Sequence, residues 1–328
     1  MPSNSDDDFL PTAGWENLRL RAELLRRLRE FFHQRGFLEV ETPILSADTV
    51  IDRHLNPFST EISLRSGKSP RRLWLQTSPE FGMKRLLAAG AKAIYQVSRV
   101  FRQGEQGPLH NPEFTLVEWY RAGHGMAEGM QLTSDLAETM LGRGSAQRIG
   151  YREAFLQYVG VDPHIGDSAA LIAAVKGHGI EAPATLSNDD RDGWLDLLLV
   201  ELVQPHLGQD SPVLLYDFPA SQAALSRIRS GDPPVAERFE LYVKGIELAN
   251  GYNELLDAEE LRRRNREINR LRSAEGKYML PEQSRLLAAM QSGLPPAVGV
   301  ALGFDRLVML AAGAKTLAEV IAFPFDRA

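Results

Sequence analysis

Between Trp15 and Arg35 the apolar positions Leu18, Leu24, Leu25, Leu28, Phe31 and Phe32 recur at helical spacing, with arginines on the other face. That pattern predicts a helix, and Gly36 supplies its stop. FLEVETPIL (37–45) then alternates apolar and polar like a strand, halted by Pro43. SPEFGMKRLLAAG (78–90) reads as a short helix closed by Gly90. AIYQVSRVFR (93–102) and FTLVEWYRA (114–122) read as antiparallel strands joined by a polar loop. Helices are predicted over 126–142 and 188–204, strands over 213–219, 238–250 and 297–303, and further helices over 257–274 and 303–313. The Gly/Ala/Pro-rich stretch between the first two of these helices gives no assignment. Residues 1–14 read as a disordered tail. The order predicts an α+β fold of mostly antiparallel strands with helices inserted between them, and not alternating βαβ units.

Composition narrows the chemistry. The 328 residues are 44% hydrophobic and 24% charged, as in ordinary globular proteins. There is no cysteine, which removes disulfides, cysteine–zinc centres and thiol nucleophiles from consideration. The net charge of −6 argues against a large nucleic-acid footprint, which needs clustered Lys and Arg. The N-terminus MPSNSDDDFLPT is acidic and has no apolar core, so it does not read as a signal peptide. No apolar run approaches membrane-spanning length, so a cytoplasmic protein without a membrane partner is expected. Walker and Rossmann glycine loops are missing, so any nucleotide must be held by another device.

Three stretches carry more chemistry than a scaffold needs. In FRQGEQGPLHNPEFTLVEWY (101–120), Glu105, His110, Asn111, Glu113, Phe114, Glu118 and Tyr120 lie between Arg102 and Arg121. Period two puts Phe114, Leu116, Glu118 and Tyr120 on one face. An aromatic there can stack on a base and an arginine can grip a phosphate; an exposed hairpin with a solvated face is the competing reading. In GVALGFDRLVMLAAG (299–313), small residues run into Gly303, and Asp305 and Arg306 open an apolar helix. An arginine at a helix N-terminus opposes the helix dipole and points to an anionic partner; an ordinary glycine-rich joint is the alternative. In the third stretch, 238–270, Glu247, Ala249, Gly251 and Asn253 are expected on one strand face, with Asn250 and Glu254 nearby. Converging carboxylates suit Mg²⁺ with phosphate oxygens, or an ammonium group. Asp257 and Glu260 form a capping-box pattern, and the arginines of 262–272 read as that helix's solvated face or, alternatively, a docking patch for an acidic partner.

VSRVFRQGEQGPLHNPEFTLVEWY resembles motif 2 of the class II aminoacyl-tRNA synthetases, VGVALGFDRLVML their motif 3, and the first helix with FLEVETPIL their motif 1. HNPEFT, IELANGYNEL and the closing VIAFPFDR resemble the lysine-specific subgroup. About fifteen residues precede the motif 1 resemblance, too few for an anticodon-binding domain. The chain therefore resembles the elongation factor P–(R)-β-lysine ligase family, stand-alone paralogues of lysyl-tRNA synthetase.

That resemblance implies the class II catalytic fold, a mixed, mostly antiparallel sheet flanked by helices, as one domain over 15–328. It implies ATP and Mg²⁺, (R)-β-lysine, elongation factor P as acceptor, a homodimer and no tRNA. By position, Arg102 is expected on the α-phosphate and Arg306 on the γ-phosphate as the catalytic pair, with Phe114 under adenine and Gln103, Glu105, His110, Asn111, Leu248 and Gly303 around ATP. Glu247 and Glu254 are expected to hold Mg²⁺ or the substrate. Ser78, Glu80, Glu118, Tyr120, Asn250, Glu254, Ala249 and Ala301 are expected around the amino acid, with Glu80 and Glu118 on its ammonium groups. Two departures stand out. Motif 2 usually reads Arg-x-Glu, whereas Gly104 here delays the carboxylate to Glu105; and Ala249 and Ala301 stand where lysyl-tRNA synthetases tend to have glycine. A lysine-activating small-molecule amide ligase, a truncated lysyl-tRNA synthetase and a non-catalytic paralogue are the competing functions.

Overall fold

The computed structural model describes residues 9–63 and 70–328. In chain order the elements are α1 (Trp15–Gln34), β1 (Leu38–Glu39), β2 (Leu45–Ser46), β3 (Ser59–Ile62), β4 (Arg71–Leu75), α2 (Glu80–Ala88), β5 (Ala93–Phe101) and β6 (Glu113–Ala122). Then come α3 (Met126–Leu141), β7 (Gln147–Gly150), α4 (Tyr151–Tyr158), α5 (Ser168–Gly177), α6 (Arg191–Leu198), β8 (Val213–Pro219), β9 (Ile228–Arg229), β10 (Val235–Val243) and β11 (Ile246–Asn253). The chain closes with α7 (Ala258–Ala274), α8 (Arg285–Gly293), β12 (Ala297–Gly303) and α9 (Phe304–Ala312). Strands are mostly antiparallel and helices flank them, as the α+β expectation requires. Two compact units divide the chain: Met1–Ala122, Leu256–Pro295 and Ala301–Ala328 form one, and Gly123–Leu255 with Pro296–Val300 form the other.

In the first unit, β5 and β6 pair antiparallel from Ala93↔Arg121 to Phe101↔Glu113, and β1 pairs parallel to β5. Alternation along β6 sorts its residues. Trp119 and its cross-strand partner Tyr95 turn toward α1, where Phe32 stacks on Tyr95 at 4.5 Å and lies 5.4 Å from Trp119. Glu118 and its partner Gln96 therefore point to the opposite face. The expected strand over 37–45 shrinks to two dipeptides: Leu38–Glu39 pairs with β5, and Leu45–Ser46 pairs with β4 in a separate three-stranded sheet. The chain changes ladders between them, and Pro43 has no N–H to continue either one. Positions 1–8 of the expected tail lie outside the described residues; within 9–14, Thr12 N–H donates to Ala322 O at 2.9 Å and Ala13 is buried.

In the second unit, β8 pairs antiparallel with β10 and parallel with β7, while β9 and β11 also pair antiparallel with β10. The single strand expected over 238–250 is a hairpin. Lys244 (φ 51°) and Gly245 (φ 72°) form its turn, and two successive left-handed residues match the twist of the flanking strands. The unassigned stretch holds β7, α4 and α5, whose Tyr151, Phe155, Leu171 and Val175 join Trp194, Leu198, Leu215 and Phe218 in one core. Asp167 caps α5 by accepting from Ala170 N at 2.8 Å.

Candidate active site

The turn after β5 is built around Arg102. Its N–H donates to Pro112 O at 2.9 Å and its Nε to Thr77 O at 3.4 Å. Its guanidinium lies 5.0 Å from the centre of the Phe114 ring, the geometry of a cation over an aromatic face. Gly104 takes φ +87°, a conformation costly for residues with a Cβ, and the turn it permits brings Glu105 Oε1 to 3.7 Å from Arg102 Nη1. The carboxylate displaced by one position thus still reaches the arginine. Gln103 is exposed, and its N–H is anchored on Asn56 O at 2.7 Å.

Arg306, in the first turn of α9, approaches the same loop. Its Nε donates to Leu109 O at 3.3 Å and its Nη2 lies 2.8 Å from His110 Nε2. Guanidinium only donates, so His110 Nε2 is the acceptor and the imidazole is neutral. Burial, with the charge of Arg306, lowers the His110 pKa, in agreement. The neighbouring Asp305 is buried and structural: Oδ1 accepts from Arg21 Nη1 at 2.5 Å and Oδ2 from Thr115 N at 2.6 Å. Asn111 is likewise taken up by the scaffold. Its amide donates to Glu113 O at 2.6 Å and accepts from Phe325 N at 2.9 Å, so it pins the end of the loop.

On the face of β6 opposite α1, Ser78, Glu118 and Tyr120 form one network. Ser78 Oγ donates to Glu118 Oε1 at 2.6 Å and accepts from Glu80 N at 3.0 Å; Tyr120 Oη donates to Glu118 Oε2 at 2.9 Å. Glu118 is 1% exposed. Burial, and then the charge of Glu80, push its pKa up to about 7, against the two hydroxyls and Lys84. Glu80 is paired with Lys84 one helical turn along α2. The two carboxylates expected to act alike therefore differ: Glu80 already faces a resident cation, and Glu118 is held by hydroxyls.

In the second unit Glu240 is the hub. It accepts from Arg238 Nη2 at 2.5 Å and Asn250 Nδ2 at 3.0 Å through Oε1, and from Tyr242 Oη at 2.6 Å through Oε2. The β10–β11 register runs Glu240↔Asn250 and Leu241↔Ala249, then skips Leu248 to Tyr242↔Glu247. Leu248 is thus a bulge residue, and the bulge corrects the expected grouping. Glu247 shares the face of Glu240, Tyr242 and Asn250, while Ala249 and Gly251 share that of Leu241 and Phe239. At Gly251 a Cβ would lie 2.3 Å from the Phe239 ring, so the close approach needs glycine. Glu254 lies one residue past β11, in an isolated bridge with Ser226, and is buried. Among the described residues, no three of His, Cys, Asp and Glu cluster closely enough to hold a metal by themselves.

The first unit thus brings together Arg102, Glu105, Phe114, His110 and Arg306 around one loop, and Ser78, Glu80, Glu118 and Tyr120 in one hydrogen-bonded network; Gly303 immediately precedes α9, and Ala301 is half-buried in β12. Glu240, Arg238 and Lys84 escaped the sequence reading, as did the buried pairing of Asp305 with Arg21. The i,i+4 spacing of Glu80 and Lys84 was the one available signal.

Over residues 12–327 the chain matches the family model described as tRNA synthetases class II (D, K and N). It is 47% identical, over 324 residues covering 98% of each chain, to a protein of Hamiltonella defensa subsp. Acyrthosiphon pisum (strain 5AT) named elongation factor P–(R)-β-lysine ligase. With this fold, these arginines and this match across nearly its whole length, the chain belongs to the class II tRNA synthetase family of the D, K and N type.

Proposed function

We propose that the protein is an ATP-dependent ligase that activates (R)-β-lysine as an acyl-adenylate and transfers it to a lysine side chain of elongation factor P. The observation that carries this reading is the 47% identity over 98% of both chains to a ligase of that name. In the first step the amino-acid carboxylate attacks the α-phosphate of ATP, and pyrophosphate leaves. In the second an acceptor amine attacks the acyl carbon, and AMP leaves. Neither step needs an enzyme nucleophile; orientation and charge neutralisation supply the rate.

Arg102 is assigned to the α-phosphate and Arg306 to the γ-phosphate, with Phe114 under adenine. The 5.0 Å stack of Arg102 on Phe114 supports a loop that offers cation and aromatic face together. Neutral His110, against Arg306, contributes no further charge. Glu118 is assigned to a substrate ammonium, oriented by Ser78 and Tyr120, while Glu80 with Lys84 fixes the start of α2. Glu247 and Glu254 are assigned to Mg²⁺, which binds through one or two carboxylates plus substrate phosphates and not through a full protein cage. Bound there, Mg²⁺ would neutralise phosphate charge. Ala249 and Ala301 are assigned to discrimination between β- and α-lysine. The working form is read as a cytoplasmic homodimer that uses no tRNA.

The test incubates the protein with ATP, Mg²⁺, elongation factor P and either lysine isomer, and reads the acceptor by intact-mass spectrometry. One added lysyl unit, favoured with the β-isomer, is the expected result. Pyrophosphate exchange without any gain in mass would retain the adenylation site and overturn the acceptor.

A further inference from the structure

The arginines at 262–272 do not all face solvent. Arg262, Arg263, Arg264 and Arg270 pair with glutamates on their own helix, whereas Arg272 is 1% exposed. Its buried guanidinium binds neutral acceptors: Nε donates to Tyr278 O at 2.9 Å, Nη1 to Asp52 O at 2.8 Å and Leu55 O at 2.9 Å, and Nη2 to Asn56 Oδ1 at 3.1 Å. A planar fork reaches these acceptors in fixed directions, which an ammonium on a flexible stem does not reproduce. The loop 52–56 is hung on the end of α7, and Lys277 Nζ adds a bond to Arg53 O at 2.9 Å.

Asn56 faces both ways. Its side-chain oxygen takes Arg272, and its backbone oxygen takes the N–H of Gln103 at 2.7 Å. Gln103 adjoins Arg102 in the turn that Gly104 makes possible. We propose that Arg272 is a positioning residue for the ATP-gripping turn: through Asn56 it fixes the backbone from which Arg102 and Glu105 project. This rests on the reading that Arg102 contacts ATP.

The test measures equilibrium ATP binding and the separate KM values for ATP and lysine isomer in pyrophosphate exchange. Loss of one hydrogen bond in Asn56→Ala is expected to raise the ATP KM about tenfold. Asn56→Asp keeps the acceptor and should return it to within about twofold of wild type. Arg272→Lys keeps the charge but loses the fork, and should weaken ATP at least as much as Asn56→Ala. The KM for the amino acid should stay constant throughout. Should Arg272→Lys fail to fold, the two Asn56 variants decide. Folded variants with wild-type ATP KM, or with both KM values rising together, would overturn the proposal. Wild-type protein that binds no ATP would overturn the functional reading itself, and this inference with it.

Discussion

Asp305 Oδ2 accepts the backbone N–H of Thr115 at 2.6 Å, which ties the residue beside Arg306 to the residue beside Phe114. The other oxygen takes Arg21 of α1, whose Nη2 also donates to Thr115 Oγ1 at 2.8 Å. Three segments distant in sequence thus share one buried carboxylate. Asp305→Ala leaves Arg21 without its counter-charge and is expected to cost roughly 3–5 kcal/mol, as when one partner of a buried pair is removed. Urea denaturation should show this as a lower midpoint at unchanged slope. Asp305→Asn keeps an acceptor and should cost less, yet still weaken ATP binding by loosening Arg306.

Glu118 makes a prediction about pH. Its pKa rises from 4.5 to about 7 on folding, so the folded state holds the proton across that window and the unfolded state releases it. Its contribution to stability is present below 4.5 and lost as pH climbs through about 7, a total on the order of 3 kcal/mol. Glu118→Gln should therefore melt higher than wild type at pH 8 and equal it at acid pH. Amine binding has the opposite trend, since an ammonium needs the ionised form. The KM for the lysine isomer should fall as pH rises through about 7 in wild type. In Glu118→Gln it should be high and insensitive to pH over that range.

How far this site was legible in the sequence depends on the kind of order that builds it. The strand before Arg102 and the one carrying Glu118 are long runs rich in β-branched and aromatic residues, so β5, β6 and the period-two face of Phe114, Glu118 and Tyr120 were readable. The β10–β11 hairpin was not, because its Lys244–Gly245 turn lacks the usual Asn-Gly signal and apolar residues continue on both sides. The bulge at Leu248 breaks the period that was used to group Glu247 with Ala249. Helix α5, SAALIAAVKG, is made largely of small residues that leave no clear stripe. Lys84 and Arg272 were hidden for another reason: a cation in sequence reads as surface until its buried partner is known.

The bulge also bears on metal dependence. With Glu247 on the face of Glu240, Glu247→Gln and Glu254→Gln are each expected to raise the Mg²⁺ needed for half-maximal pyrophosphate exchange about tenfold, the cost of about 1.4 kcal/mol of lost coordination. Glu259→Gln, an exposed partner of Arg262 on α7, is the control and should leave the titration unmoved. A curve for Glu247→Gln that overlays the control would remove Glu247 from the metal.

Substrate choice is the last quantity that single side chains should move. Ala249 is 2% exposed, on the β11 face of Leu241, and Ala301 is half-buried in β12. If their methyl groups favour an amine one carbon further along the chain, replacing both with glycine should shift the ratio of kcat/KM for α- over β-lysine upward. One or two methyl groups in an apolar wall are worth about 1–3 kcal/mol, so the expected shift is about ten- to a hundredfold. Glycine in a strand interior should also cost about 0.5–1 kcal/mol at each position, so the ratio, and not the absolute rate, is the quantity to read. Each single variant should move it part of the way, with approximate additivity if the two methyl groups act independently. A double variant that folds, exchanges pyrophosphate and keeps the wild-type ratio would assign discrimination elsewhere, to the Ser78–Glu118–Tyr120 network first, because its hydroxyls orient the carboxylate that receives the ammonium.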